Sequence, residues 1–370
     1  MRDLRSTMAL IAVAAVLAAS ACSGPAAGPT PMAAPPPTAT TTATATPPAV
    51  RVSLPRDDAP HPAFNTEWWY YNGHLQTADG RGFSFHYAVF QIAAQGGLFA
   101  DIAHVAITDT AAGSFLFDQR GTVGDAVTGA EGFAFELDGW SISGGGGQDR
   151  LAAAVKGYAF DLELMAVQPP ALHDGTGLVD FGEAGSSYYY SRTRMAASGT
   201  VTVGGRPAPV EGIAWFDHQW GDFEAQAIGW DWFALQMDDG TDIMLTVVRD
   251  VEGREIVRYG TLVSPDGTAT RLAADGFFAS PTGTWTSPAS GATYPVAWTV
   301  RLPDLGLDVT LSPVVDDAEF AAGTTTGNFY WEGAVVVTGS AEGVGFVELT
   351  GYAPMRFPVA GAGEVEEGRE

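Results

Sequence analysis

Glu67, Trp68, Trp69, Tyr70, Tyr71, Asn72, Gly73 and His74 put four aromatic side chains, an acid and a histidine into one short run. The pattern returns at Trp215, Phe216, Asp217, His218, Gln219 and Trp220, and again at Trp230, Asp231, Trp232 and Phe233. An ionisable group walled by large aromatic rings sits in a low dielectric, where its proton affinity departs from the value in water. The chemistry open to such groups is proton transfer. The same side chains could instead be hydrogen-bonded members of a β-core.

Other chemistries lack their residues. The chain has no Gly-x-Ser-x-Gly elbow, no phosphate-binding loop and no dinucleotide fingerprint in a strand–helix context. The run Gly144 to Gly147 reads as a hairpin turn. Cys22 is the sole cysteine, so an internal disulfide and a second thiol are excluded. The six histidines show no local metal-ligand spacing, although His74, His86 and His104 each fall in a predicted strand and could converge inside a barrel. No metal and no cofactor is expected. The acid–base candidates are therefore Glu67, Asp217, His218 and Asp231, with neighbouring tyrosines.

The formal charge is −25 and Lys156 is the only lysine. A nucleic-acid surface needs a basic face, so that class of partner is excluded. The acidity serves solubility.

Strands must position these groups. Phe83 to Gln91 alternates with period two, and Ala103 to Thr108, Phe133 to Leu137, Ala159 to Leu164 and Thr200 to Val203 are further short strands. The second half repeats the pattern, with turns at Asp239-Gly240, Glu252-Gly253 and Pro265-Asp266-Gly267 between strands. No long amphipathic helix is visible. The expected fold is all-β, with two antiparallel barrels divided near Gly221 to Ala227: residues 51–226 and residues 227–357. Alternation puts Glu67, Trp69 and Tyr71 on one face of the first strand, and Trp68, Tyr70, Asn72 and His74 on the other. Asp217 likewise opposes His218, which shares its face with Trp220. A cavity in the N-terminal barrel, lined by Trp69, Tyr71, His218 and Trp220 with Glu67 nearby as the acid, follows as the expected site. An imidazole beside an indole wall suits protonation or deprotonation of an apolar molecule.

The N-terminus reads as an export signal. Arg2 and Arg5 precede an apolar stretch from Met8 to Ala19 that is too short to span a bilayer, and small residues lead to Cys22. Residues 1–22 resemble a lipoprotein signal peptide, with Cys22 the acylated residue. Residues 23–50, almost entirely Pro, Ala and Thr, read as a disordered tether, and residues 358–370 as an acidic tail. The expectation is an exported monomer anchored to the cell membrane through its lipid alone, facing the periplasm or exterior.

Glu67 to His74, Ala103 to Asp109, Asp217 to Gly221, Trp230 to Gln236 and Tyr330 to Gly333 with Glu348 to Tyr352 together resemble the carotenoid 1,2-hydratase/AttH lipocalin-like family. The resemblance covers about residues 60 to 355. It implies two lipocalin-like β-barrel domains packed together, and a site built on the hydratases' His-x-Trp, matched by His218 and Trp220. Carotenoid hydratases add water across a terminal double bond without cofactor. Their Tyr-x-Asp pair has no counterpart in Ile243 to Arg249, so Glu67, Asp217 or Asp231 would have to stand in as the acid. Two classes of function follow. One is a cofactor-free hydratase, hydrolase or isomerase acting on an isoprenoid- or lipid-like molecule. The other is a surface-tethered carrier of a hydrophobic ligand. Trp69, Tyr71, His74, His104, Trp220 and Trp232 are the expected ligand contacts.

Overall fold

The two-residue alternation is realised as antiparallel pairing throughout the computed structural model, which describes residues 51–354. The leader ending at Cys22, the tether over 23–50 and the tail over 358–370 lie outside the described residues.

The first sheet contains β1 (Thr66–Thr77), β2 (Gly82–Ala93), β3 (Phe99–Asp109), β4 (Ser114–Gly124), β5 (Phe133–Leu137), β6 (Trp140–Gly145), β7 (Gln148–Val155), β8 (Tyr158–Ala166), the short β9 (Ala171–Leu172) and β10 (Leu178–Asp180), β11 (Gly185–Val203) and β12 (Arg206–Phe223). They are ordered β4-β3-β2-β1-β12-β11-β8-β7-β6-β5, with β9 and β10 added along β11. The end strands β4 and β5 are consecutive in sequence and approach one another, so the sheet curls into a nearly closed barrel.

The second sheet contains β13 (Ile228–Met237), β14 (Asp242–Asp250), β15 (Glu255–Val263), β16 (Ala269–Leu272), β17 (Phe278–Thr286), β18 (Thr293–Leu302), β19 (Leu307–Pro313), β20 (Glu319–Ala321), β21 (Phe329–Gly339) and β22 (Gly343–Thr350). Its order is β16-β15-β14-β13-β22-β21-β19-β18-β17, with β20 added along β21, and it forms a half-barrel. This is the all-β, lipocalin-like architecture expected from the sequence. Among the described residues, helix is confined to three-residue turns, and none is long and apolar enough to cross a membrane.

The central pairing of the first sheet is β1 on β12, with Glu67 opposite Trp220, Trp69 opposite His218 and Tyr71 opposite Phe216. These six residues share one face. Trp69, Tyr71, Phe216 and Trp220 join the first barrel's own core. Burying such a side chain contributes about 1.5–3 kcal/mol. The alternate residues Tyr70 and Trp215 pack with Trp232, Ala234, Met244 and Phe346 in a layer between the two sheets.

A bulge in β11 between Arg192 and Met195 lets that long strand serve both layers. Arg192 points into the barrel and meets Asp58, whereas Arg194 Nη2 lies 2.6 Å from Asp242 Oδ1 of the second sheet. The Gly144 to Gly147 run is a hairpin between β6 and β7. Gly144 is required there, because a Cβ would fall 2.0 Å from Asp149 Oδ1.

Candidate functional site

The stretch before β1 packs into one end of the first barrel. Val52 joins the barrel core, and its backbone N–H donates to Thr176 O at 3.3 Å. A three-residue turn, Arg56–Asp58, aims Asp58 inward, where it is fully buried. Its carboxylate accepts from Arg192 Nη2 at 2.6 Å, from the Tyr190 hydroxyl at 2.5 Å and from the Gly146 backbone N–H at 2.8 Å. A buried charge is tolerated where it is paired and hydrogen-bonded in this way. The stretch then delivers His61 to the barrel mouth, its ring lying on Trp220 with centroids 3.9 Å apart and planes 4° apart.

Glu67 stands at the centre of the site. Oε1 lies 2.7 Å from His218 Nε2 and 2.8 Å from His61 Nδ1, while Oε2 accepts from the His61 backbone N–H at 2.6 Å. Glu67 is 2% exposed, His218 is fully buried, and the His61 side chain at the lip is 18% exposed. Trp69 stacks on the other side of His218 with centroids 4.7 Å apart. The array is thus an imidazole–carboxylate–imidazole bridge between two indoles.

Beyond His218, the chain of polar contacts continues. His218 Nδ1 is 3.3 Å from the Tyr190 hydroxyl, which reaches Asp58 and lies 3.5 Å from Arg192 Nη1. Tyr71 donates to Asp149 Oδ2 at 3.0 Å within the same interior. Two buried donors of this interior, Trp69 Nε1 and the Tyr87 hydroxyl, have no hydrogen-bond partner among the described residues.

Burial works to raise the Glu67 carboxyl, but the hydrogen bonds from His218 and His61 outweigh it and hold the group below its ordinary range. Burial lowers the His218 imidazole, with Glu67 offsetting only part of the effect. A charged His218 is therefore a strong proton donor next to a stable anion. Asp149 is pushed up to about 6 by burial, opposed chiefly by the nearby Arg192 charge.

The residues singled out in the sequence separate into three places. Glu67, Trp69, Tyr71, His218 and Trp220 meet in the first barrel. Asp217, Trp232, His74 and His104 lie between the sheets. Asp217 accepts from Trp215 Nε1 at 2.6 Å, from the Tyr189 hydroxyl at 2.6 Å and from Ser191, and burial pushes it up to about 7. Trp232 Nε1 donates to the Tyr189 hydroxyl at 3.1 Å. His74 Nε2 is 3.2 Å from Gly345 O, and His104 bridges the Tyr330 hydroxyl at 3.1 Å and Thr325 Oγ1 at 2.8 Å. His86 shares this layer, its Nδ1 lying 3.5 Å from Glu332 Oε2, so none of these three histidines enters the first barrel's interior. Asp231 is apart from both groups, gripped by two Arg249 nitrogens at 2.5 and 2.6 Å and by the Tyr352 hydroxyl at 2.8 Å. Both of its oxygens are engaged by that fork and hydroxyl.

His61, Asp58, Tyr190, Arg192 and Asp149 belong to the site but do not stand out in the sequence. Tyr190 belongs to the short run Tyr188 to Tyr190, and the other four lie outside any aromatic run. The available hint was the His61-to-Glu67 spacing, a histidine and an acid flanking Pro62 just ahead of the first strand.

A lipocalin-like β-protein with an acid–histidine cluster in its first barrel is the class that this fold and site define. The sequence profile of the AttH-like family matches residues 45–352, and the chain belongs to that family. The crystal structure of an AttH protein from Nitrosomonas europaea is similar, with 31% identity and a TM-score of 0.75, covering 83% of this chain and 98% of that one. Kievitone hydratase from Nectria haematococca shares the fold, with 19% identity and a TM-score of 0.66, covering 82% of this chain and 94% of that one. The dehydratase asqC of Emericella nidulans is 24% identical over 162 residues, which are 42% of this chain and 46% of that protein. The chain thus spans about half the length of that curated relative.

Proposed function

We propose that this protein is an exported, cofactor-free hydro-lyase-type enzyme that adds water to, or removes it from, an apolar isoprenoid- or lipid-like molecule. The observation that carries the reading is the Glu67 carboxylate held between His218 and His61 in an aromatic-walled barrel mouth. Family membership, the hydratase fold neighbour and the dehydratase relative support the same class of chemistry.

In the hydration direction, Nε2 of a charged His218 gives its proton to the terminal alkene carbon. The alkene π pair forms the new C–H bond, and a tertiary cation is left beside the indole walls, which favour positive charge. A water oxygen forms the C–O bond and its proton passes to the Glu67–His61 pair, restoring the cluster. The sum is alkene plus water giving alcohol, and dehydration is the reverse. Trp69 Nε1 and the Tyr87 hydroxyl are donors that a water or alcohol oxygen in this interior could satisfy. The convergence of an acid with two histidines favours this reading over a carrier, which needs no such cluster.

The test is incubation with a panel of prenylated and isoprenoid alkenes and their tertiary alcohols in heavy-oxygen water, read by mass spectrometry. Incorporation of the label by the wild type but not by Glu67→Gln is the expected result. Tight ligand binding with no water exchange on any panel member would transfer the protein to the carrier class.

A further inference from the structure

The hydrogen atoms around the Glu67 cluster leave one contact of a neutral His218 unsatisfied. The single Tyr190 hydroxyl proton is directed to Asp58 Oδ1 at 2.5 Å. The Tyr190 oxygen is then left as an acceptor, for Arg192 Nη1 and for His218 Nδ1 at 3.3 Å. A proton on Nδ1 leaves Nε2 of a neutral His218 as a lone pair facing a carboxylate oxygen 2.7 Å away. His61 Nδ1 approaches the same oxygen at 2.8 Å, while its Nε2 is 3.9 Å from the Asp57 carboxylate, beyond hydrogen-bond reach. A lone pair against a carboxylate repels it unless positive charge stands between them. One divalent ion supplies that charge and draws on both imidazoles at once.

We propose that His61 Nδ1, Glu67 Oε1 and His218 Nε2 form a binding site for one divalent transition-metal ion, with Zn2+ the best match. The three donor atoms lie within 4.8 Å of one another and come from the stretch before β1, from β1 and from β12. Two imidazoles and one carboxylate are a zinc donor set that leaves a fourth position open. Bonds of about 2.0–2.1 Å in a tetrahedral site hold donors about 3.3 Å apart, so the two short N···O contacts must open by about half an ångström. His61 can supply that movement because it is the one ligand at the lip. Part of the outer shell is also in place: Tyr190, anchored by Asp58, faces the far nitrogen of His218, and the Asp57 carboxylate lies 3.9 Å from that of His61.

This site goes beyond the acid–base reading and uses the same atoms, so the ion and the transferable protons exclude one another. Metal loading is expected to suppress water addition, and chelation to restore it.

The whole chain, stripped with chelator and then freed of it, is titrated with Co2+ while its visible absorption is followed, and Zn2+ is then added in competition. The expected result is one equivalent with the intense bands of low-coordinate Co2+, displaced by Zn2+. Loss of an outer-shell partner typically costs about 10–100-fold in affinity, so Tyr190→Phe should fall in that range and His61→Ala should lose more than about 100-fold. His61→Ala guards against misfolding, since it removes a ring at the lip, and circular dichroism of that variant should match the wild type. Equal affinity in His61→Ala, or only faint bands accumulating over several equivalents on surface carboxylates, would overturn the proposal. Absence of binding leaves the acid–base reading standing. Absence of turnover in chelator, with the Co2+ bands intact, leaves the metal site standing.

Discussion

Glu67 Oε1 lies 2.7 Å from His218 Nε2 across 151 residues of sequence. The register explains the contact: Trp69 is opposite His218 and Glu67 is opposite Trp220, so the acid and the imidazole are diagonal neighbours on one face of an antiparallel pair. The acid, the His218 imidazole and the indoles are thereby fixed by the backbone ladder, whereas His61 comes from the irregular stretch before β1.

Glu67→Gln tests whether that diagonal carries chemistry. The wild-type carboxylate accepts from His218, from the His61 ring and from the His61 backbone N–H. An amide turns one acceptor oxygen into a donor facing donors, so stability should fall by about 1–3 kcal/mol. Turnover of any substrate found should drop much further, by about 10²–10⁴-fold. A variant with wild-type turnover would remove Glu67 from the mechanism, whatever its melting temperature.

The Asp58–Arg192 pair should be a stability element. Asp58→Asn leaves a nearly fully buried guanidinium without its hydrogen-bonded counter-charge, at a cost of up to about 3–5 kcal/mol, with Asp149 the remaining acid nearby. Asp58→Asn combined with Arg192→Met should cost less than the sum of the two single changes, because the orphaned charge is gone. Additive losses in urea melts would show that the two groups are not coupled.

Two sets of buried groups make stability respond to pH in opposite directions. Burial lowers His74 to about 4 and His86, His104 and His173 to about 3, so these rings are neutral in the fold. The unfolded chain binds their protons first, and stability falls as pH drops from the ordinary value of 6.5 towards those values. Burial also holds Glu332 well above its ordinary value, with Glu348 directly across from it and raised to about 7. Tyr70, Tyr330, His86 and Asp217 are the other ionisable groups facing this pair. A protonated carboxyl is favoured in the fold, so stability present below about 4.5 is lost as pH rises through the folded values. Glu332→Gln, which mimics the protonated acid, should flatten the alkaline limb of a melting-temperature profile and leave the acid limb. An unchanged alkaline limb would assign it to other groups.

Export through a lipid anchor is checked by labelling. Radioactive palmitate should enter the wild-type chain and not Cys22→Ala, and the wild type should sediment with membranes. Equal labelling of both would end the lipoprotein assignment.

The sequence by itself determined the strand content, the hairpin at Gly144 to Gly147 and the sorting of Glu67, Trp69 and Tyr71 away from Tyr70, Asn72 and His74. Those features are local, since a two-residue period and a glycine turn are written in adjacent residues. The meeting of Glu67, His218 and Trp220 was legible as well, because each residue lies in an aromatic run that must form a strand. Only the tertiary structure decided what the opposite face of each run meets. It sent Asp217, His74 and His104 to the layer between the sheets and tied Asp231 to Arg249 and Tyr352. It also brought in Asp58 and His61 from a stretch with no periodicity, along with Arg192 from the start of a β-bulge. Their roles depend on long-range register and on where an irregular segment comes to rest. Neither is encoded in spacing, because both follow from closing the sheet into a barrel.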